Sequence, residues 1–257
     1  MKTVFVKYGK KEHLQQIVDG KLRFSPSQNY VKMEEQLHNK GQGDLLEGKM
    51  PLQIETGQVY DKDTNELVGI MPKRRLLISI QDVNNMPVFC LSSYSISEDN
   101  MLSLEHEHLD SIKNDFPDAT HALIIQSPDT FIEDVKSNVG HKIVSDQIRY
   151  YDYSINTLQM YMYLTTGDEK IVDNSTMTYD NRYRHLLCKD ISFSNQKEYR
   201  FIITDELIEK PVFYDFHFNS PYKILPIDEL YRGIILEWLY SINHSLLVHS
   251  KTVPHKS

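Results

Sequence analysis

The sequence predicts an α+β fold with mainly antiparallel sheets. Strand patterns concentrate in the middle and towards the end of the chain, helical patterns cluster early, and few strict strand–helix–strand alternations occur. No sequence period repeats, and no linker rich in Pro, Gly or Ser divides the chain. We therefore expect a single domain that spans residues 1–257.

The first elements are expected to alternate between strand and helix. Their predicted ranges are Lys2–Tyr8, Lys10–Asp19, Lys21–Phe24 and Ser27–Leu37. The first range alternates polar and apolar residues as a strand does, and Gly20 is a typical stop signal for the helix before it. Ser25 and Pro26 resemble an N-cap followed by proline in the first helical turn, which favours a helix directly after them.

The rest of the chain is expected to supply most of the strands. Residues 39–69 have a loop-like pattern, with possible strands at Pro51–Thr56 and Leu67–Met71 on either side of a turn. Further strands are predicted at Arg74–Val83, Pro87–Ser95, Thr120–Ser127, Glu198–Thr204 and Val212–Phe218, and helices at Met101–Asp115, Asp129–Ser137 and Tyr179–Lys189. Gln147–Leu164 is rich in tyrosine and has mixed signals, as does the closing segment Asp228–His249.

Composition excludes several classes of protein. The net charge is −8, which argues against a general nucleic-acid coat protein but not against a nucleic acid that visits one local cleft. No apolar run approaches the roughly 18 residues needed to span a bilayer, and the first residues lack the features of a signal peptide. We therefore expect a cytoplasmic protein without membrane contact. The two cysteines, Cys90 and Cys188, are expected to be reduced core thiols.

Four segments in a fixed order suggest a family. They are FVKYG at residues 5–9, LRFSPSQNY at 22–30, VFCLSS at 88–93 and NQKEYRFI at 195–202. Together they resemble a bacterial branch of the ADP-ribosyltransferase-fold family, some members of which are toxins in phage defence or modify nucleic acids. The first strand offers Lys7 and Tyr8 rather than Arg or His, so the resemblance assigns the chain to neither main toxin class.

The resemblance implies a mono-ADP-ribosyltransferase that consumes NAD and needs no metal. It implies that Glu198 is the catalytic carboxylate, that Gln196 engages the acceptor and that Ser92 orients the glutamate. It also implies an NAD-binding cleft lined by Lys7, Tyr8, Ser25, Ser27 and Tyr30. Strand alternation allows only one of Lys7 and Tyr8 to face the cleft, and the sequence does not distinguish them.

The chemistry of NAD cleavage fits a carboxylate at this position. Breaking the bond to nicotinamide develops positive charge on the ribose, and a nearby carboxylate stabilises that charge as in glycosidases. Gln196 lies two residues before Glu198, so on a continuous strand both side chains share one face. A glutamine can hold an amide, a hydroxyl or a base edge, whereas a glutamate would suit arginine better. Transfer to RNA or DNA is therefore slightly favoured over transfer to protein.

Other interpretations of the same residues remain open. A Glu-Tyr-Arg strand is more often a solvated face than a catalytic element, and the alternative hypothesis is a non-enzymatic module that binds a ligand or partner. A nuclease-like effector would need paired carboxylates and a lysine, which no local spacing offers. The residues Glu105–His108 lack the spacing of a metal site. The tyrosines of 150–163 fit a core better than a base-stacking surface. A toxic enzyme would also need a cognate inhibitor protein.

Overall fold

The computed structural model describes residues 2–37, 43–98, 101–170, 179–232 and 234–235, and it shows a mixed α and β architecture. The described strands are β1 (Thr3–Gly9), β2 (Lys21–Pro26), β3 (Lys49–Ile54), β4 (Gly57–Tyr60), β5 (Leu67–Met71), β6 (Arg74–Ser79), β7 (Pro87–Ser95), β8 (Met101–Leu102), β9 (His121–Ile125), β10 (Ile143–Gln147), β11 (Arg149–Tyr151), β12 (Cys188–Asp190), β13 (Glu198–Ile203), β14 (Val212–Asp215), β15 (Tyr222–Pro226) and β16 (Ile234–Ile235). The α-helices are α1 (Lys11–Val18), α2 (Gln28–Leu37), α3 (His106–Asp115), α4 (Pro128–Asn138) and α5 (Leu158–Thr166). Short 3-10 helices occupy Val83–Asn85, Tyr179–Leu187, Ile191–Gln196 and Ile227–Arg232.

The main sheet has eight strands in the described chain. Six of them follow the order β10-β13-β7-β1-β9-β15, and β2 joins the sheet through β7 and carries β14 on its other side. Every pairing in this sheet is antiparallel, and β11 with β12 forms the one parallel pair among the described strands. The predicted class of a mainly antiparallel α+β protein is therefore confirmed.

Alternating side chains on the central strands build a core on each face of the main sheet. On one face Phe5, Phe89 and Phe201 pack with residues of α1 and α4. On the other face Val6 and Tyr94 belong to a cluster that includes α3, and Val88 and Ile202 belong to a third cluster with α5 and the 3-10 helix Tyr179–Leu187. Burial on both faces explains the nearly continuous apolar character of these strands.

Several local predictions agree with the structure and several do not. The predicted strand Pro87–Ser95 is confirmed residue for residue. Gly20 ends α1 with φ of +86°, and a Cβ there would lie 2.5 Å from the carbonyl oxygen of Phe216. The prediction that Ser25 and Pro26 begin a helix is wrong, because both residues continue β2 and pair with β7. Tertiary pairing here overrides a local capping pattern.

Three predicted helical or mixed segments are also corrected. Only the second part of Met101–Asp115 is helical, since β8 precedes α3. Tyr179–Lys189 is a 3-10 helix followed by β12, and the mixed segment Gln147–Leu164 divides into β11 and α5. Of the closing segment Asp228–His249, residue 233 and residues 236–249 lie outside the described residues.

The buried His185 gives a prediction for the pH dependence of stability. Burial lowers the pKa of this imidazole from 6.5 to about 4, and the side chain is 2 % exposed. A histidine with a lowered pKa resists protonation in the folded state. Its contribution to the free energy of unfolding is therefore complete above pH 6.5 and is lost as the pH falls towards 4. Because one pKa unit corresponds to about 1.4 kcal/mol, we expect a loss of about 2 to 3 kcal/mol.

Urea unfolding at pH 7 and pH 4.5 measures this loss as the free energy of unfolding. His185→Gln should lack this part of the pH dependence, because its amide does not titrate in this range. His217→Gln is the matched control, since His217 is exposed. If the wild type and His185→Gln lose the same free energy of unfolding between the two pH values, a group other than His185 causes the pH dependence.

Candidate active site

The site begins with a split in the main sheet. Strand β7 pairs along one edge with β13, and its other edge is shared by two strands. Ser92–Ser95 pair with β1, whereas Pro87 and Val88 pair with β2. Between these pairings, residues 89–91 have no strand partner on that edge in the described chain. The diverging strands leave a cleft above this gap.

A cavity of about 770 Å³ fills the cleft, which is within the usual range of about 300–1,000 Å³ for ligand sites. Its walls carry five lysine or arginine side chains and two carboxylates, although the chain as a whole has a charge of −8. The basic residues are Lys7, Lys10, Lys21, Arg23 and Lys189, and the acidic ones are Asp118 and Glu198. The cleft is therefore a local cationic surface on an acidic protein, suited to an anionic ligand.

The structure brings most of the sequence-predicted site residues to this cavity. The seven that line it are Glu198, Gln196, Ser92, Lys7, Tyr8, Ser25 and Tyr30. Ser27 is not among the lining residues, because its side chain is fully buried and its hydroxyl donates to the Val83 carbonyl at 2.7 Å. The expectation that Ser27 contacts the ligand is therefore corrected to a structural role beside α2.

Glu198 lies at the centre of a buried network of charges. Its Oε1 accepts from Nε of Arg200 at 2.6 Å, and its Oε2 accepts from Nζ of Lys189 at 2.9 Å. Arg200 is fully buried and also donates from both terminal nitrogens to the carboxylate of Glu47, at 2.5 and 2.9 Å. Two acids and two bases thus neutralise one another with little exposure to water, as buried charges require.

This network keeps the Glu198 carboxylate ionised. Burial alone raises the pKa of Glu198, but Arg200 and then Lys189 lower it well below its usual range. Burial lowers the pKa of Lys189, but the charges of Glu198, Asp44 and Glu47 together raise it above its usual value. Glu198 is therefore a fixed negative charge and a poor proton acceptor near neutral pH.

Gln196 lines the same cavity as Glu198, but from a different element than expected. The prediction that it shares a strand with Glu198 is wrong, because Gln196 ends a 3-10 helix and Lys197 has φ of +46° before β13 begins. Its Oε1 nevertheless accepts from Nζ of Lys189 at 3.1 Å, and its Nε2 donates to Asp115 at 3.2 Å. Lys189 therefore connects the amide of Gln196 with the carboxylate of Glu198.

Ser92 lies directly opposite Glu198 in the pairing of β7 with β13. Ser92 lines the cavity beside Glu198, whose carboxylate accepts from Arg200 and Lys189. The Tyr94 hydroxyl meets Nε2 of His108 at 3.0 Å. The structure thus brings Ser92 to the site, and the side-chain donors described for the Glu198 carboxylate are Arg200 and Lys189.

Lys7 and Tyr8 both line the cavity, contrary to the expectation that only one would. Nζ of Lys7 donates to the Cys90 carbonyl at 2.6 Å, at the gap between β1 and β2, and burial lowers the pKa of this lysine. Tyr8 stacks against Phe116 and donates to the Tyr94 hydroxyl at 2.9 Å. Lys7 thus supplies charge at the gap, and Tyr8 supplies an aromatic wall.

Cys90 and Tyr30 complete the floor of the cleft. The Tyr30 hydroxyl lies 3.2 Å from Sγ of Cys90. Burial first, and then the charge of Glu198, raises the pKa of the Cys90 thiol to about 12. Cys90 is therefore a neutral thiol near neutral pH, which argues against a role as a nucleophile.

Most of the expected tyrosine cluster belongs to the core. Tyr151, Tyr153 and Tyr163 are buried, while Tyr161 is exposed. Tyr150 has a role in the site, since its hydroxyl oxygen accepts from the backbone N–H of Glu198 at 2.8 Å.

Sequence reasoning missed Glu47, Arg200 and Lys189. Strand alternation could have placed Arg200 on the same face as Glu198, because the two are two residues apart. No local signal points to Glu47, which lies 153 residues from Arg200 in a segment with a loop-like pattern. The paired carboxylates and lysine that a nuclease would need do come together, but in the described chain no group of three ligands is arranged to hold a metal ion.

Comparisons of the sequence with family models and curated proteins, and of the structure with solved structures, found no match. No helix in the described part of the chain is long and apolar enough to cross a membrane. The case for a function therefore depends on the cleft itself.

Proposed function

We propose that this protein is a mono-ADP-ribosyltransferase that cleaves NAD in the cleft between β1 and β2. The observation that carries the proposal is an ionised, buried carboxylate at the floor of a cationic cavity. The lining lysines and arginine fit the pyrophosphate of a dinucleotide, and Glu198 fits the positive charge that develops on the ribose. Aromatic walls at Tyr8 and Phe116 suit a flat ring. On this proposal the fold is ADP-ribosyltransferase-like.

The bases that pair with Glu198 have a consequence for this mechanism. Arg200 and Lys189 offset the negative charge of Glu198, which weakens its attraction for a cationic ribose. Lys189 has a flexible four-carbon stem and already bonds Gln196, whose amide is held by Asp115. We propose that the ligand draws Lys189 away from Glu198 and so frees Oε2 for a ribose hydroxyl. Arg200 stays with Glu47 and holds the carboxylate in place.

A direct test is the release of nicotinamide from NAD by purified protein. Release above the uncatalysed rate supports the proposal. The absence of release in every buffer tested contradicts it. The acceptor is identified in cell lysate with NAD labelled in its adenosine part, followed by separate digestion with protease and with nuclease. We propose a nucleic acid as the acceptor, so the label should be sensitive to nuclease. Label that only protease removes would contradict that choice and leave the transferase proposal standing.

Gln196 gives a prediction about transfer. Gln196→Ala should retain NAD hydrolysis within about threefold while transfer to the acceptor falls at least about tenfold, because the lost amide can both donate to and accept from an incoming group. Initial rates of nicotinamide release and of label incorporation give the two numbers. Gln147→Ala is the control, since Gln147 is exposed. An equal fall in both rates would place Gln196 in NAD cleavage instead.

A second candidate function is a non-enzymatic module that binds an anionic ligand. Both oxygens of Glu198 are already bonded within the protein, which is also how a purely structural ion network would look. Such a module would bind NAD or another nucleotide in the cleft, with no release of nicotinamide. Isothermal titration together with the nicotinamide assay separates the two candidates.

A further inference from the structure

A long two-stranded arm extends from the protein over residues 49–79. Strand β3 pairs with β6, and β4 pairs with β5 beyond them, so the arm is one hairpin in two parts. In the described chain these four strands pair only with one another. Near the base, Gln53 bonds Asn156 and Tyr153. A two-stranded hairpin is marginally stable alone in water, so an arm of this length gains from a partner.

The outer part of the arm exposes aliphatic side chains. Val68 is 64 % exposed and Ile70 is 67 % exposed, both on β5. The outward edge of β5 has no described strand beside it. Proteins usually protect such an edge with charge, proline or a covering element, because a free edge invites pairing with another chain.

Charges of opposite sign lie on either side of this apolar stretch. The tip of the arm carries Asp61, Asp63 and Glu66 with Lys62, and the waist carries Lys73, Arg74 and Arg75 with Glu55. The tip is therefore net acidic and the waist net basic. Glu66 and Arg74 each lie four residues from Ile70, on opposite sides of it.

We propose that two copies of this chain associate through their arms, with the β5 edges antiparallel about a two-fold axis near Ile70. In this arrangement the acidic tip of each copy faces the basic waist of the other, the two copies of Ile70 meet at the axis, and Val68 lies two residues from it. A two-fold interface makes each contact twice, so the charge pattern is satisfied on both sides. A parallel arrangement would instead place tip against tip and waist against waist, where like charges repel.

Sedimentation equilibrium over a range of concentrations tests the association. The wild type should form dimers, and Ile70→Lys should weaken the dimer at least about tenfold in Kd, because it places two like charges at the axis. Raising the salt concentration should also weaken the wild-type dimer. A wild type that stays monomeric throughout the concentration range would overturn the proposal.

A charge exchange tests the antiparallel register itself. One variant carries Asp63→Lys and Glu66→Lys, and the other carries Arg74→Glu and Arg75→Glu. Each variant alone should be monomeric, since its tip and waist then have the same sign, and an equal mixture should restore the dimer. Asp61 is left intact because it accepts three hydrogen bonds in the turn.

Matched controls place the same charge changes away from the arm. These are Glu133→Lys with Glu209→Lys, and Lys136→Glu with Lys142→Glu, all at exposed positions. Both controls should dimerise as the wild type does, and circular dichroism should show every variant folded. If the mixture of arm variants stays monomeric, or the controls also dissociate, the tip-to-waist arrangement is wrong.

Discussion

Glu198→Gln should lower the rate of nicotinamide release at least about 100-fold. The substitution keeps the shape of the side chain but removes the charge that opposes the positive ribose, and the loss of one such preorganised electrostatic contact costs about this much. The comparison is the initial rate at saturating NAD for the wild type and the variant. Glu209→Gln is the matched control, because Glu209 is an exposed glutamate.

The same change also disturbs the buried network, so an effect on folding has to be distinguished from an effect on catalysis. In Glu198→Gln the ammonium of Lys189 loses its ion-pair partner, while Arg200 keeps Glu47. The double variant Glu198→Gln with Lys189→Met removes the pair together and avoids an unpaired buried charge. Both variants should be inactive, and near-UV circular dichroism should show the double variant packed. A packed variant with near wild-type turnover would remove Glu198 from the mechanism.

Arg200→Met should be the most destabilising single substitution in the site. It leaves the Glu47 and Glu198 carboxylates buried without the guanidinium that pairs with both. Breaking a buried pair by removing one partner costs about 3–5 kcal/mol. Urea unfolding measures the change in the free energy of unfolding, with exposed Arg75→Met as the control.

Two further measurements distinguish lost pairing from lost packing. Glu47→Leu with Arg200→Met should be more stable than Arg200→Met alone, because it removes the Glu47 carboxylate that lost its guanidinium partner. Burial already raises the pKa of Glu47, and without the guanidinium it should rise further, so Arg200→Met should regain stability relative to wild type as the pH falls. If the double variant is no more stable than Arg200→Met, and the difference from wild type is independent of pH, the destabilisation comes from lost packing and not from lost pairing.

The parts of the site that lie on regular strands were predictable from the sequence. Ser92 and Glu198 each lie on a strand with a clear apolar pattern, and the structure pairs these residues directly. Gln196 was placed correctly in the cavity for the wrong reason, because the left-handed turn at Lys197 breaks the strand before it. A single backbone reversal of this kind has no distinctive local sequence signal at a lysine.

The rest of the site depends on contacts between distant segments. Lys189 was expected in a helix, and it lies on β12 because the parallel pairing with β11 decides the conformation there. Ser25 was expected to cap a helix, and the edge of β7 takes it into the sheet instead. In each case a short segment was compatible with two conformations, and a long-range partner selected one of them.

The central position of β1 has a consequence for how the protein is made. The ribosome produces β1 before its neighbours, although β1 lies between β7 and β9 in the sheet. Val6 can therefore pair only after Ser92 on one side and Ile124 on the other have been synthesised. Such distant pairings close large loops and are slow to form. The strand that brings Glu198 emerges later still. A nascent chain therefore carries most of the basic wall of the cleft well before it carries the carboxylate, and whatever chemistry the cleft performs must await synthesis of β13.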